Sequence, residues 1–546
     1  MSKNILISIL ILAAALRLFG LTRYPAGLNA DEAALGYNAY SLMLTGKDEH
    51  GHAWPVNLES FGDFKPAFYS YFLIPFIKVF GLTELAIRLP SALAGILAVL
   101  FIYLLTKELT SLAGEFMGLT SALLLAISPW HLHFSRGAWE VNLATTFILL
   151  GTWLFLKWLK NPKIIFLLLF TLNFTLSLYT YQSARVIAPL LGLGFLICYF
   201  PIFTKHLRQT ITAGILLFLL LIPLTYNLIT SDASSRLSGV GLLADAGPLN
   251  RVKEFRGQHG NPNSPLGRVL HNRPVIYSIQ FMKNYLDHFN GAFLFISGDV
   301  IPRNRVPETG LLYMTDFILL FLGVIYLLRT SNYEPRTKII WLWLFIAPVA
   351  SALTFQTPHA LRSQSLVIPL TIISSAGLFN LVNIILKLKI KNLKFIAYGI
   401  LFFGYFWQVS RYLHQYYIHY PQTYPFAWEY GFKELVAYTE SVRDRYDQIM
   451  VTDKYDQPYI LFLFYSRFPP AQFQGRHKLT LRDKYNFSTV REFDKYKFEN
   501  TPWEKVRDIH STLIVAAPED IPEVGVNVVK TIYFPSNQPA FKIVSN

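Results

Sequence analysis

Over its first four hundred residues the chain alternates long apolar stretches with short polar breaks. A helix needs roughly 20 mostly apolar residues to cross the hydrocarbon core of a bilayer. Windows of that length fall at 4–22, 88–106, 112–128, 139–156, 164–181, 186–203, 211–229, 312–328, 338–355, 365–386 and 395–411. The pattern predicts a mainly α fold, a polytopic transmembrane helical bundle of about eleven spans. The stretch 67–80 (AFYSYFLIPFIKVF) is apolar but short and contains Pro75, so it reads as interfacial or re-entrant. After residue 411 the pattern changes. A helical stretch (AWEYGFKELVAYTESVRDRY) precedes QIMVTD and the apolar run PYILFLFYSRF. TLIVAAPED, NVVKTIYFP and FKIVSN then alternate or run apolar between Pro and Gly breaks, as short strands do. Residues 1–411 are therefore expected to form the transmembrane domain, and 412–546 a soluble α/β domain.

The polar breaks set the orientation. Those at 1–3, 107–111, 157–163, 204–210, 329–337 and 387–394 carry Lys3, Lys107, Lys157, Lys160, Lys163, Lys205, Arg208, Arg329, Arg336, Lys387, Lys389, Lys391 and Lys394. Short loops rich in Lys and Arg stay in the cytoplasm. The long segments 23–87, 230–311 and 412–546, with the turn 129–138, are then extracytoplasmic, and the protein is a multi-pass protein of the cell membrane. Ala13 and Ala15 resemble a signal-peptide cleavage site. Apolar character continues to Leu21, however, so the first window is expected to remain as a span.

Composition narrows the class further. Hydrophobic residues make up 53% of the 546 positions and charged residues only 15%, against about 25% in soluble domains. Residues 412–546 are electrically balanced, so the whole net charge of +15 lies in residues 1–411, among hydrophobic segments. There it orients spans or meets anionic lipid phosphate. Nucleic-acid binding, which concentrates basic residues on a soluble face, does not fit. Cys198 is the single cysteine, which excludes an intrachain disulfide and a cysteine-based metal cluster.

Ionisable groups in a span are costly, about 2.5–3.5 kcal/mol at a helix centre. In the predicted topology Asp31, Glu32, Lys65, Arg88, Arg136, Glu140, Arg185, His359 and Arg362 all lie at or beside outer span ends. Taken singly, each reads equally well as a snorkelling or capping residue; together they point to one outer site holding carboxylates and cations. Asp31 and Glu32 follow the first span in LNADEAALGYNAYSL, where Asn29 and the two acids suit the start of a helix and an ionised carboxylate also suits a general base. Lys65 (GDFKPAFYSY) is placed to meet a lipid phosphate or to anchor an aromatic belt. Arg88 opens RLPSALAG, with Pro90 in an expected first helical turn. Arg136 and Glu140 (SRGAWEVN) are four apart, the spacing of a helical ion pair. Arg362 lies in TPHALRSQS. Asp48-Glu49-His50-Gly51-His52 has a metal-like composition but lacks helical ligand spacings such as H-E-x-x-H. The loop 230–311 contains one amphipathic stretch, VIYSIQFMKNYLDHF, expected as an interfacial helix or flap.

The order Asp-Glu after the first span, Lys-Pro before aromatics, RLPSALAG, and SPWHLHFSR at the next outer turn resembles the GT-C glycosyltransferases. More narrowly, it resembles bacterial relatives of the dolichyl-phosphate-mannose protein mannosyltransferases and of the lipid A aminoarabinose transferase (glycosyltransferase family 39 and its neighbours). That resemblance implies transfer of a sugar from a polyprenyl-phosphate donor to a protein, lipid or glycan acceptor on the outer face, with inversion. It assigns Asp31, with Glu32 beside it, to catalysis. Lys65 and Arg362 match the family's donor-phosphate residues and Glu140 a second, supporting acid; by their place on the same outer face, Arg88 and Arg136 are also expected at the donor phosphate, with Arg185 and His359 in support. No metal ligand set and no certain cofactor is implied, with a divalent cation left open. A transporter or flippase of lipid-linked sugars is the alternative. It would carry polar, broken helices at the midplane and internal repeats, whereas the charges here gather at one face.

Overall fold

Every apolar window holds helix in the computed structural model, which describes residues 2–110, 113–230, 239, 241–330, 335–387, 391–483 and 487–545. The helices are α1 (Ser2–Leu18), Glu84–Leu109, Gly114–Ile127, Glu140–Lys160, Ile164–Thr180, Ala184–Cys198, Leu207–Thr230, Met314–Thr330, Lys338–Ile346, Val367–Lys387 and Lys391–His414. Among the described residues, Glu84–Leu109, Glu140–Lys160, Leu207–Thr230 and Gln364–Lys387 are long and apolar enough to cross a membrane. The stretch 67–80 is a 13-residue helix, Phe68–Phe80. Lys389, and residues 231–238 at the start of the long segment 230–311, lie outside the described residues.

Two predicted boundaries move, each for a reason of backbone chemistry. The helix expected to open at Arg88 begins at Glu84, so Pro90 sits inside it rather than in its first turn. The window 338–355 breaks after Ile346 and resumes as Val349–Ala352, because Pro348 has no N–H and clashes with the preceding turn.

The chain divides into two compact units, one of residues 1–16, 94–134 and 140–412, the other of 17–93, 135–139 and 413–546. The first unit is helical. At one crossing a Cβ added to Gly323 would lie 1.9 Å from the Ile373 carbonyl oxygen, and one on Gly377 would lie 1.8 Å from that of Leu319. The helices Met314–Thr330 and Val367–Lys387 therefore touch backbone to backbone. Bundles in lipid use such small-residue contacts because apolar side chains gain nothing by leaving the tails.

The second unit joins residues 17–93 to the C-terminal region. α2 (Ala30–Thr45) leads to the antiparallel hairpin of β1 (Asn57–Ser60) and β2 (Asp63–Pro66), then to the helix Phe68–Phe80. The C-terminal part carries a six-stranded mixed sheet in the order β4-β5-β3-β6-β8-β7. These strands are β3 (Gln448–Val451), β4 (Glu492–Phe493), β5 (Tyr496–Phe498), β6 (Thr512–Ala516), β7 (Val528–Tyr533) and β8 (Pro539–Ser545). β3 runs parallel to both neighbours, β5 and β6; the other pairs are antiparallel. The run PYILFLFYSRF becomes the helix Pro458–Ser466, buried from Tyr459 through Phe464. It packs against α2, and a side chain on Gly36 would collide with the Phe464 ring at 2.7 Å. A helix apolar all round is a core helix.

Candidate active site

α2 starts where the sequence places its cap. Asn29 has extended backbone angles and its side chain accepts the N–H of Glu32 at 3.1 Å, a bond that stabilises a helix by about 1 kcal/mol. Asp31 and Glu32 fill the first turn, where the free N–H groups favour negative charge. The two neighbouring carboxylates then diverge.

Asp31 pairs with Lys65 of β2, and its side chain stays 32% exposed while that of Lys65 is 11% exposed. Lys65 also lies over the Phe61 ring, 4.8 Å from its centroid. Glu32 and Arg88 are fully buried. The Arg88 Nε and Nη2 donate to the two Glu32 oxygens at 2.9 and 2.8 Å. Its remaining N–H groups go to the carbonyls of Leu21, Pro25 and Gly27. All five donors of this guanidinium are thus committed. Glu32 Oε1 accepts the Ala138 N–H at 2.7 Å as well. Arg136 is buried in the same unit, donating to the carbonyls of Phe19 and Tyr24 and to the Tyr416 hydroxyl, between the rings of Tyr416 and Tyr417. It lies in the break between helices Pro129–Phe134 and Glu140–Lys160, so its four-residue spacing from Glu140 is not a helical one.

A polar seam supports the hairpin that carries Lys65. Leu58 pairs with Lys65 and Ser60 with Asp63, so Ser60 and Lys65 project from the same hairpin face. Asn38 lies two helical turns beyond Asp31 on α2 and meets Ser60 at 3.4 Å, while Ser60 donates to Glu49 at 3.1 Å. The Glu49 N–H donates in turn to Asn38. Burial, with the Asp48 charge beside it, pushes the Glu49 carboxyl up to about 8.

The metal-like run is disposed differently from a metal centre. Asp48 accepts the backbone N–H groups of His50 and His52 and pairs with the His52 ring. His477 gives its Nδ1 proton to the Phe473 carbonyl, so its Nε2 accepts from His50 Nδ1 at 2.8 Å. Burial lowers the His50 pKa to about 3. Among the described residues no three His, Cys, Asp or Glu side chains converge as metal ligands would.

The remaining expected residues belong to the first unit. His359 and Arg362 lie together in the turn before the helix Val367–Lys387. His359 Nδ1 is 3.7 Å from Asp299, and Arg362 donates to the Thr354 hydroxyl at 2.8 Å. Asp299 is buried and accepts from the backbone of Ile301 and Ala360 and from the Asn304 amide. Beside it, His288 donates from Nδ1 to the Asn284 carbonyl, leaving Nε2 to accept the Ser351 hydroxyl at 2.7 Å. The sequence does not single out Asp299 or His288; an acid in the turn SGDVIP, with Gly298 at φ +68, is the one local signal. Arg185 reaches back from the helix Ala184–Cys198 to the end of the preceding one, donating to the Leu178 carbonyl and to Gln182 in the turn between them. Glu140 begins the helix Glu140–Lys160 and is buried.

Residues 64–228 match the sequence pattern of the family described as Dolichyl-phosphate-mannose-protein mannosyltransferase. No curated protein sequence matches the chain. Among solved structures, ArnT from Cupriavidus metallidurans in the apo state aligns with a TM-score of 0.55 at 12% identity, covering 99% of this chain and 98% of that one. The same protein bound to undecaprenyl phosphate aligns with a TM-score of 0.55 at 11% identity, over 100% and 98% of the two chains. The oligosaccharyltransferase of Archaeoglobus fulgidus, tethered to an acceptor peptide containing the NVT sequon, gives 0.53 at 12% identity, over 99% and 74%. The chain therefore shares the fold of these enzymes, and its resemblance to the GT-C glycosyltransferases holds in structure as well as in motif.

Proposed function

We propose that this protein is a membrane glycosyltransferase that moves a sugar from a polyprenyl-phosphate donor to a hydroxyl acceptor at the extracytoplasmic face. The observation that carries the reading is the Asp31–Lys65 pair, a carboxylate and an ammonium left partly open in the first turn after the first apolar helix. Two further facts support it: the match of residues 64–228 to a dolichyl-phosphate-mannose family, and a fold shared with a protein captured with undecaprenyl phosphate.

In the resting pair Lys65 neutralises Asp31. An arriving donor phosphate competes for the ammonium and leaves the carboxylate facing the acceptor. The acceptor oxygen then attacks the anomeric carbon, the bond from that carbon to the phosphate oxygen breaks, and the acceptor proton passes to Asp31. Attack opposite the leaving phosphate inverts the configuration. Lys65 stabilises the charge that grows on the leaving group, where a donor in a water-poor site counts most. Glu32, Arg88 and Arg136 are assigned here to holding the loop 19–27 and the start of α2. Releasing Arg88 to a phosphate would strip Glu32 and three carbonyls of their partners.

The test is transfer from a panel of polyprenyl-phosphate sugars in proteoliposomes, with products read by mass spectrometry. Asp31→Asn is expected to lower transfer about 10²–10⁴-fold, the usual worth of a general base, while donor binding and thermal stability are kept. Full activity in Asp31→Asn would remove Asp31 as the base. Donor flipping without any transfer would replace the enzyme with a transporter.

A further inference from the structure

The second unit contains a cleft of about 700 Å3 that the reaction described above does not use. Its walls are the loop 22–27 on one side and residues 417–437 on the other, with Tyr465 and Pro535 at the ends. Such a volume accommodates a ligand of two or three sugar rings, within the range of ordinary small-ligand sites.

Its lining has a distinctive chemistry. Tyr24, Tyr417, Tyr430 and Tyr465 line the cleft, and all four are only part-buried. Tyr24 and Tyr417 meet edge to face at 5.0 Å, which fixes both rings. Glu429 is buried in the same wall, and its left-handed backbone (φ 46) is held where Gly27 approaches the Trp428 carbonyl. Glu84 is held by Lys433 at 2.8 Å, and Glu434 by Lys530 at 2.8 Å. With Arg23, the charged groups lining the cleft are three carboxylates against two cations. Lys530 on Glu434 brings the local balance to three of each sign, so a charged headgroup meets no net attraction. Aromatic faces for C–H surfaces and fixed carboxylates for hydroxyl donors suit an uncharged, hydroxyl-rich ligand instead.

The cleft is also tied to the carboxylate turn. Arg88 holds the carbonyls of Pro25 and Gly27 while gripping Glu32, and Arg136 holds that of Tyr24. The wall of the cleft thus runs, over a few pinned residues, into the helix start that carries Asp31.

We propose that this cleft is the acceptor subsite and binds a neutral glycan. The proposal rests on the glycosyltransferase reading for the word acceptor; the glycan site itself does not. The experiment uses the full chain in nanodiscs, with mannotriose and maltotriose as probes and saturation-transfer NMR as the readout. At least one trisaccharide is expected to receive saturation from the wild type and from Asp31→Asn. The signal is expected to vanish in Tyr430→Ala and to weaken in Glu434→Gln, with thermal melting of each variant showing that it is folded. In transfer assays with a glycan acceptor, Tyr430→Ala is expected to raise the acceptor KM at least 10-fold and leave the donor KM unchanged. Failure of both trisaccharides to bind, or equal binding to wild type and Tyr430→Ala, overturns the cleft as a glycan site. Binding that is lost in Tyr430→Ala, together with no transfer from any donor, keeps the glycan site and overturns the enzyme reading and the acceptor role with it.

Discussion

Asp31 and Glu32 are adjacent residues on one helical turn, each facing a cation, and they have opposite fates. Glu32 is sealed with Arg88 in a bidentate pair in which every guanidinium proton is spent on the carboxylate or on backbone carbonyls. Asp31 meets Lys65 through a flexible side chain at a partly open edge. A buried pair is costly to desolvate and costlier still to break, so it serves as a fixed joint. An open pair with a lysine can exchange partners at small cost, because the ammonium is a mobile point charge rather than a planar fork. On the proposed reading, framework and chemistry are separated by one peptide bond.

The strongest way to break this contrast is Arg88→Ala. It leaves the Glu32 charge buried without a cation, a loss of about 3–5 kcal/mol for such pairs, and frees three carbonyls as well. We expect little folded protein from detergent extracts, measured by size-exclusion yield and melting. Normal yield with lost transfer would instead make Arg88 a substrate contact. Next in size is Lys65→Met. The protein should fold and melt as the wild type does, while kcat falls about 10²–10³-fold, the scale seen when one charge-stabilising donor is removed. A fall in stability without a fall in rate would put Lys65 in the framework class.

The smallest effect concerns Glu49, the carboxyl of the polar seam with Asn38 and Ser60. Its folded pKa is raised from 4.5 to about 8, so folding takes up a proton between those values. The contribution of Glu49 to stability is then full below pH 4.5 and is lost as pH rises through about 8. Glu49→Gln should flatten that decline in melting temperature across pH 5–8. Identical slopes for wild type and variant would mean that Glu49 ionises normally.

Much of this arrangement is legible in the sequence. Apolar windows of bilayer length became helices because lipid-facing segments leave no other way to satisfy the backbone. Asn29 capped α2 as its chemistry dictates, and QIMVTD, TLIVAAPED, NVVKTIYFP and FKIVSN supplied strands of the mixed sheet. The amphipathic VIYSIQFMKNYLDHF supplied most of the helix Arg273–Asp287, running two residues past its end. What stayed hidden depends on distant partners. Nothing local distinguishes Glu32 from Asp31, because Arg88 is 56 residues away. The hairpin escaped notice because Phe61 and Gly62, at φ 60 and 73, make its tight turn without the Asn-Gly signal. Asp299 is also far in sequence from His359 and Ala360, which it meets.

The crossing at Gly323 and Gly377 has a consequence for how the first unit tolerates change. A methyl group at either position would overlap a carbonyl oxygen of the opposite helix, so no residue with a Cβ fits without prying the pair apart. The two helices are in effect a single splinted strut, and a push on one is delivered to the other without slack.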